Sequence, residues 1–364
     1  TEGARDNMEF DVKDYNVKLV HELSDTQAIT LRASSYNEKS DVPYSGLTLA
    51  EWNTFGSDYN PFVNDKYTAE RWALSATHEI AFNADLTLKT SIYRTDFSRD
   101  WWRQSSNSGQ RPNDSSDPRC GGMANLSATC GNEGRLRDYQ TWGVEPRFSL
   151  NHGLFGAENT LDFGLRAHFE AQKRLQWNGD TPNARTPGTS RNAGVKEDNR
   201  RDVDAYSGFV QNAFAFGDWT VTPGVRFEDV GYERENKQNG AKGEESLTQT
   251  LGGLGVNYAL NENTHVYGGV HEGFSPPNVQ DVIDNNGGSV DLGAEESLNW
   301  ELGLRTTPMA GLRLEATWFR MDFDNQIIPA SLAGGSGSTL TSAGETLHEG
   351  FEALAEWNSD DDFT

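Results

Sequence analysis

In the stretch NTLDFGLRAHFEAQ, residues 159–172, one register of alternate positions reads Leu161, Phe163, Leu165, Ala167, Phe169 and Ala171. The other reads Asp162, Gly164, Arg166, His168, Glu170 and Gln172. A period of two predicts an extended strand with one oily and one wet face, because successive side chains leave a pleated backbone on opposite sides. The pattern recurs at Trp219, Val221, Pro223, Val225 and Phe227, and again at Leu298, Trp300, Leu302 and Leu304. About thirteen such segments are expected, near 8–23, 27–39, 68–82, 86–103, 135–150, 159–177, 202–216, 219–235, 246–259, 264–273, 297–307, 311–327 and 346–357. Most exceed the roughly 9–11 residues that cross a bilayer at a tilt.

The connections alternate in length. Short turns are expected at 24–26, 83–85, 217–218, 261–263 and 308–311, and long polar loops near 40–67, 104–134, 178–201, 236–245, 274–296 and 328–345. Tight turns on one side and extended loops on the other are the habit of outer-membrane barrels. A propeller would show a blade motif at fixed period, and none is present. The expected fold is therefore all-β, a transmembrane antiparallel β-barrel. By this reading the first and last strands both run down to the periplasmic side, so residues 1–364 form part of a barrel whose closing strands lie outside the sequence.

Composition is compatible with that reading. No run of about 20 apolar residues is available for a membrane helix, and only 35% of residues are hydrophobic, with a mean hydropathy of -0.71. Barrel strands expose only half their residues to lipid, so a weak signal is expected of them. The 55 acidic against 31 basic side chains give a formal charge of -24, which repels phosphate backbones and argues against a nucleic-acid partner. Cys120 and Cys130, in RCGGMANLSATCG, suit a small disulfide-closed loop in an oxidising compartment; a free pair is the alternative. Two thiolates without nearby histidine or further cysteine fall short of a structural zinc site.

Six stretches carry a family resemblance: YQTWGVEPRFSL (139–150), FGDWTVTPGVRFEDV (216–230), VYGGVHEGFSPPN (266–278), EESLNWELGLR (295–305), RLEATWFRMDFDNQI (313–327) and HEGFEALAEW (348–357). In this order and spacing the chain resembles the barrels of TonB-dependent outer-membrane receptors, closest to the ferric dicitrate group, from about residue 27 onward. The resemblance implies a 22-stranded barrel around an N-terminal plug, in a Gram-negative outer membrane, in contact with lipid and lipopolysaccharide. It implies a monomer that takes up a ferric chelate with energy from TonB, through a plug outside this sequence. Iron would travel as part of the ligand, with no cofactor.

In such receptors arginines of the loops and upper wall capture the anionic chelate through charge-assisted, often bidentate bonds. Parity selects candidates here. Trp142, Val144, Pro146, Phe148 and Leu150 share the oily face of their strand, which turns Arg137, Tyr139, Thr141 and Arg147 inward. Leu86, Leu88 and Ile92 likewise turn Arg99 and Arg103 inward. Arg99 in FSRDWW and Arg137 in LRDYQTWG match family positions where basic residues occur. Arg200, or its neighbour Arg201, in KEDNRRDV is a third candidate, and Gln280 beyond FSPPN a fourth. Each arginine has a plainer reading as a cation paired to a wall carboxylate. Trp219 is expected in the periplasmic interface girdle; Trp52, Tyr59, Trp101 and Trp102 lie at or in long loops, where they stack on a ligand or a sugar or pack on one another.

Enzymatic readings find no support. The seven histidines, His21, His78, His152, His168, His265, His271 and His348, are scattered and read as solvated lumen residues. No G-x-S-x-G elbow occurs, and GGSGS at 334–338 lacks the lysine and helix start of a phosphate loop. Three alternatives stand beside the iron-chelate receptor. A haem or other siderophore receptor would use the region of His265 and His271, a porin would be a passive channel, and a soluble β-rich glycan-binding protein would need no detergent.

Overall fold

The computed structural model describes residues 3–43, 47, 49–60, 62–103, 132–181, 183–189, 193–329 and 340–358. Cys120, Cys130 and the glycine-serine stretch at 334–338 lie outside them. Strands make up 76% of the structure and helices 3%. Thirteen strands form one antiparallel sheet in which each pairs only with its neighbours in sequence. They are β1 (Phe10–Ser24), β2 (Gln27–Ser40), β3 (Lys66–Ala81), β4 (Leu86–Arg103), β5 (Asn132–Leu154), β6 (Ala157–Gly179) and β7 (Gly194–Phe216). There follow β8 (Trp219–Asn236), β9 (Lys242–Asn261), β10 (Thr264–Ser275), β11 (Glu295–Met309), β12 (Leu312–Pro329) and β13 (Leu340–Trp357). Two short helices, α1 (Leu49–Phe55) and α2 (Val279–Val282), sit in the second and tenth connections.

Connections segregate by side as the sequence predicts, with two amendments. The β5–β6 turn is a two-residue hairpin, with Phe155 at φ 55° and Gly156 at φ 75°. Positive φ at both central residues is the signature of the type I′ turn whose twist matches paired strands. The expected long loop at 236–245 shrinks to 237–241, because β8 and β9 keep pairing above the membrane as far as Glu235 and Lys242.

Alternation sets the lipid face. On β8 the outward row runs Trp219, Val221, Pro223, Val225 and Phe227, then turns charged at Asp229, Glu233 and Glu235. Nine residues at about 3.3 Å each, tilted by about 40°, span roughly 23 Å, close to the apolar band of an outer-membrane barrel. Exposed aromatics rim that band: Phe82, Phe155, Phe216, Trp219 and Trp357 near the short turns, and Trp72, Trp142, Tyr206, Phe227 and Trp300 at the far edge. Three histidines depart from expectation. His78 pairs with Thr90 and Ile29, and Ile29 also with His21, all on the outward face, while His152 continues the Phe148–Leu150 row. They stand three or four residues above the short turns, at interfacial depth, where a polar group still reaches water. His168, His265, His271 and His348 face the lumen.

Strands β5, β6 and β7 are 23 residues long, about twice what the bilayer needs, so their upper halves form a wall outside it. The buried apolar cluster of the described residues lies against this wall, inside the mouth. Val279, Val282, Ile283 and Leu292, from the β10–β11 connection, pack on Val230 and Tyr232 of β8, flanked by Val203, Ala205 and Leu247. Arg234 donates to the Ile283 carbonyl at 2.6 Å and to Asn285 Oδ1 at 2.8 Å, and Asn236 donates to the Asn285 carbonyl at 3.0 Å. Asp284 closes the tip by accepting from the backbone N–H groups of Gly288 (2.9 Å) and Asn286 (2.7 Å), which hold its carboxyl below the usual carboxylate range.

Three outcomes test this architecture in the complete receptor. Leu165 is 67% exposed at the centre of its outward row, so Leu165→Arg is expected to cost about 2–4 kcal/mol of urea-unfolding free energy in lipid vesicles. The same change at lumen-facing Gln211 is expected to cost little, and equal costs at both positions contradict the assignment of faces. Ile283→Ala removes a side chain that is 0% exposed and is expected to weaken the loop seat by about 2–5 kcal/mol, read as faster proteolysis within 276–294. Because the Asp284 carboxyl is depressed, its contribution is present above the ordinary carboxyl range and is lost as pH falls through the lowered value. Protection of the wild-type loop should therefore fall on acidification below about pH 4.

Candidate functional site

The inward faces of the tall strands carry guanidinium groups side by side. Register places Arg99 of β4 directly opposite Arg137 of β5, and Arg137 opposite Arg174 of β6. Diagonal to this row, Arg201 of β7 lies opposite Arg234 of β8. One carboxylate, Glu197, stands among them. Its Oε2 accepts from Arg137 Nη2 at 3.0 Å, and its Oε1 accepts from Arg174 Nε at 3.0 Å and Arg201 Nη2 at 3.3 Å. Five guanidinium groups face two carboxylates, Glu197 and, beside Arg234, Asp284 of the loop, which leaves a formal local surplus of three positive charges in a chain whose total is -24.

The four sequence candidates separate here. Arg99 faces the lumen half-buried, and among the described residues it has no carboxylate partner. Arg137 faces inward but is only 2% exposed; besides Glu197 it donates to the carbonyls of Leu136 and Leu175. Gln280, on α2, accepts from Arg201 Nη1 at 2.8 Å and so joins the cluster through the loop. Arg200 does not join it. It lies opposite Lys173 on the outer face and forks onto Asp202 at 2.8 and 3.0 Å, and the inward place is taken by Arg201. A one-residue step reverses the face of a strand side chain, and the alternative named at this position is the one the wall uses.

Sequence reasoning missed Arg174, Glu197 and Arg234. Arg174 has the parity of Arg166 and His168, and Arg234 that of Arg226 and Glu228, so extending each alternation beyond the lipid band would have found both. Glu197 was hidden because the expected strand began at 202, whereas β7 begins at Gly194.

Below the cluster a cavity of about 640 Å³ is lined by Arg174, Arg201, Gln280, Tyr139 and Tyr232, among others. Its lower wall holds a fixed polar set. Tyr93 crosses over Gly143, where a Cβ would stand 2.4 Å from the tyrosine oxygen, and its hydroxyl meets His168 Nδ1 at 2.6 Å. Arg166 donates to the Tyr93 oxygen and to His168 Nδ1 (3.1 and 3.0 Å), which leaves His168 Nε2 to donate to Glu170 at 2.9 Å. A higher set is closed: Arg103 and Arg135 both donate to Glu133, which is 1% exposed. Trp102 is buried on the outer side with Arg185 over its ring at 5.2 Å, and Tyr59 stacks on Phe55 at 4.5 Å. Tyr59, from the loop, and Trp102, on β4, pack on the protein itself. His265 and His271 lie on β10, and His271 pairs with Gly253, ten residues down β9 from the Gly243 that faces Arg234. At about 3.3 Å per residue, that is roughly 33 Å from the cluster.

The wall thus offers fixed cations around an open cavity, an arrangement suited to carboxylate-bearing anions. The whole sheet is similar to solved receptor barrels. The ferric citrate transporter FecA in its unliganded form superposes with a TM-score of 0.78 at 20% identity, over 97% of this chain and 48% of that one. The ferric-catecholate import receptor Fiu from K12 E. coli gives 0.72 at 14% identity, over 97% and 56%. P. aeruginosa FpvA, bound to heterologous pyoverdines, gives 0.71 at 14%, over 97% and 48%. The chain spans about half the length of each. Residues 14–364 match the family described as TonB dependent receptor-like, beta-barrel. With the alternating wall, the one-sided loops and this match together, the chain belongs to the TonB-dependent receptor β-barrel family, of the Gram-negative outer membrane.

Proposed function

We propose that this barrel is the outer-membrane portion of a receptor for TonB-dependent uptake of a ferric chelate whose iron is wrapped in carboxylates, ferric dicitrate being the type. The supporting observation is the arginine cluster. A surplus of three positive charges is held on β4 to β8 of a strongly acidic chain, where mutual repulsion among guanidinium groups is relieved by an incoming anion. An anionic complex leaving water loses hydration, and guanidinium forks already fixed on a sheet restore it without further ordering cost. The global charge of -24 does not oppose capture, since fields from exposed acids decay over about 8 Å at physiological ionic strength. Tyr139, Tyr232 and the Tyr93–His168 set give the cavity a partly aromatic lining, which suits a compact chelate lying against the wall. FecA is a ferric citrate transporter, while Fiu and FpvA carry catecholate and pyoverdine names, so the ligand is argued from these side chains rather than from the fold. In the whole receptor, TonB would act through a plug domain.

The test is a binding panel of ferric dicitrate, a ferric catecholate and a ferric hydroxamate on the complete receptor. Ferric dicitrate is expected to bind tightest, and Arg99→Ala and Arg174→Ala each to weaken it by about 1.5–3 kcal/mol, the worth of a charged hydrogen bond. Arg137→Ala should weaken binding too and, because this side chain also ties β5 to the Leu175 carbonyl of β6, lower the unfolding midpoint. Equal affinity for all three chelates, untouched by either arginine change, would falsify the assignment.

A further inference from the structure

Glu197 has the geometry of a bound ligand. Both of its oxygens are engaged by arginines from three different strands, and its side chain keeps 18% exposure toward the mouth. Glu133, in the higher set, offers the contrast. It serves Arg103 and Arg135 from a position with 1% exposure, and nothing entering from solvent can replace it. The Glu197 cluster also has donors to spare. Among the described residues Arg137 Nε and Arg201 Nε are buried and lack a partner, so one carboxylate does not exhaust the nest, and unpaired buried donors carry the desolvation cost that an incoming acceptor removes. Position points the same way. Glu197 is nearer the loop end of β7 than Arg201, Val203 and Ala205, the β7 residues lining the cavity, so it occupies the entrance side of the nest.

Resting on the carboxylate-chelate reading, we propose that Glu197 is a resident competitor. Its carboxylate fills the carboxylate seat of the arginine nest when no ligand is bound, and the ligand must displace it to enter. In the empty receptor it keeps the guanidinium groups of Arg137, Arg174 and Arg201 converged. On binding, its charge subtracts from the attraction, so that only a ligand presenting several carboxylates outcompetes it. Glu197 is thereby a specificity-determining residue. It excludes monocarboxylates and abundant simple anions, and it tunes affinity for the polyanionic chelate downward.

The competing physical account makes Glu197 only a brace that orders the arginines, and the two accounts predict opposite signs. Calorimetric titration of the complete receptor with ferric dicitrate and with free citrate, each at two salt concentrations, separates them. Glu197→Gln keeps the shape and removes the charge, and it is expected to tighten both anions by about tenfold, equivalent to about 1.4 kcal/mol, with a steeper salt dependence. Glu197→Asp keeps the charge but draws the carboxylate back by one methylene, and is expected to tighten them by less. Unchanged or weaker binding by Glu197→Gln overturns the proposal in favour of the brace. Should Glu197→Gln fail to fold, weaker binding by Glu197→Asp overturns it equally. If the wild-type receptor binds no ferric carboxylate complex while Glu197→Gln gains affinity for free citrate, the reading of the ligand fails and the role of Glu197 stands.

Discussion

Every backbone N–H and C=O that enters hydrocarbon must find a partner within the protein, and from β2 to β12 that demand is met strand to strand on both sides. A meander in which each strand pairs only with its sequence neighbours satisfies it with the shortest connections. Its consequence is a strict two-sided wall. The oily side chains that carry the sheet into the membrane cannot also make a core, so the interior is left to polar groups. That is why the buried apolar cluster of the described residues is small and displaced into the mouth, where a loop supplies the second layer.

The site follows from the same constraint. Arginines tolerate burial poorly unless their donors are met, and on a flexible loop their convergence would be paid for in side-chain entropy. Mounted on β4 to β8 they are placed by the ladder, and part of their donors is taken up by the Leu175 carbonyl of the adjacent strand, by Glu197 and by Gln280. The loop segment with Gln280 is in turn held by Ile283 and by Arg234. Apolar packing, backbone capture and cation placement therefore form one continuous chain of contacts around the mouth.

What could be read from the sequence tracks the solvent. Within the bilayer, lipid on one side and water on the other impose alternation, so Leu161 to Ala171 and Trp219 to Phe227 announce their strands and faces. Thirteen segments could be counted, and thirteen strands are present. Above the bilayer both sides are wet, and the signal vanishes. KEDNRRD carries charge at nearly every position, so the start of β7 was placed at 202, Glu197 was overlooked, and Arg200 and Arg201 could not be told apart. Arg99 and Arg137 were legible because unbroken pairing carried the parity of Ile92 and Val144 upward. The α2 seat was illegible for another reason: Val279, Val282 and Ile283 are apolar residues scattered through a polar loop, and only the fold shows that β8 offers Val230 and Tyr232 to receive them.

The tall strands also give the mouth a built-in ruler. Rungs of a β-sheet repeat at about 4.8 Å, and Arg99, Arg137 and Arg174 occupy three successive rungs at one level. No substitution changes that pitch, since it belongs to the backbone. A cargo is therefore measured by the separation of its negative groups against a scale marked in peptide hydrogen bonds, and a change of cargo can proceed by moving an arginine one rung or two residues, with the scale itself left intact.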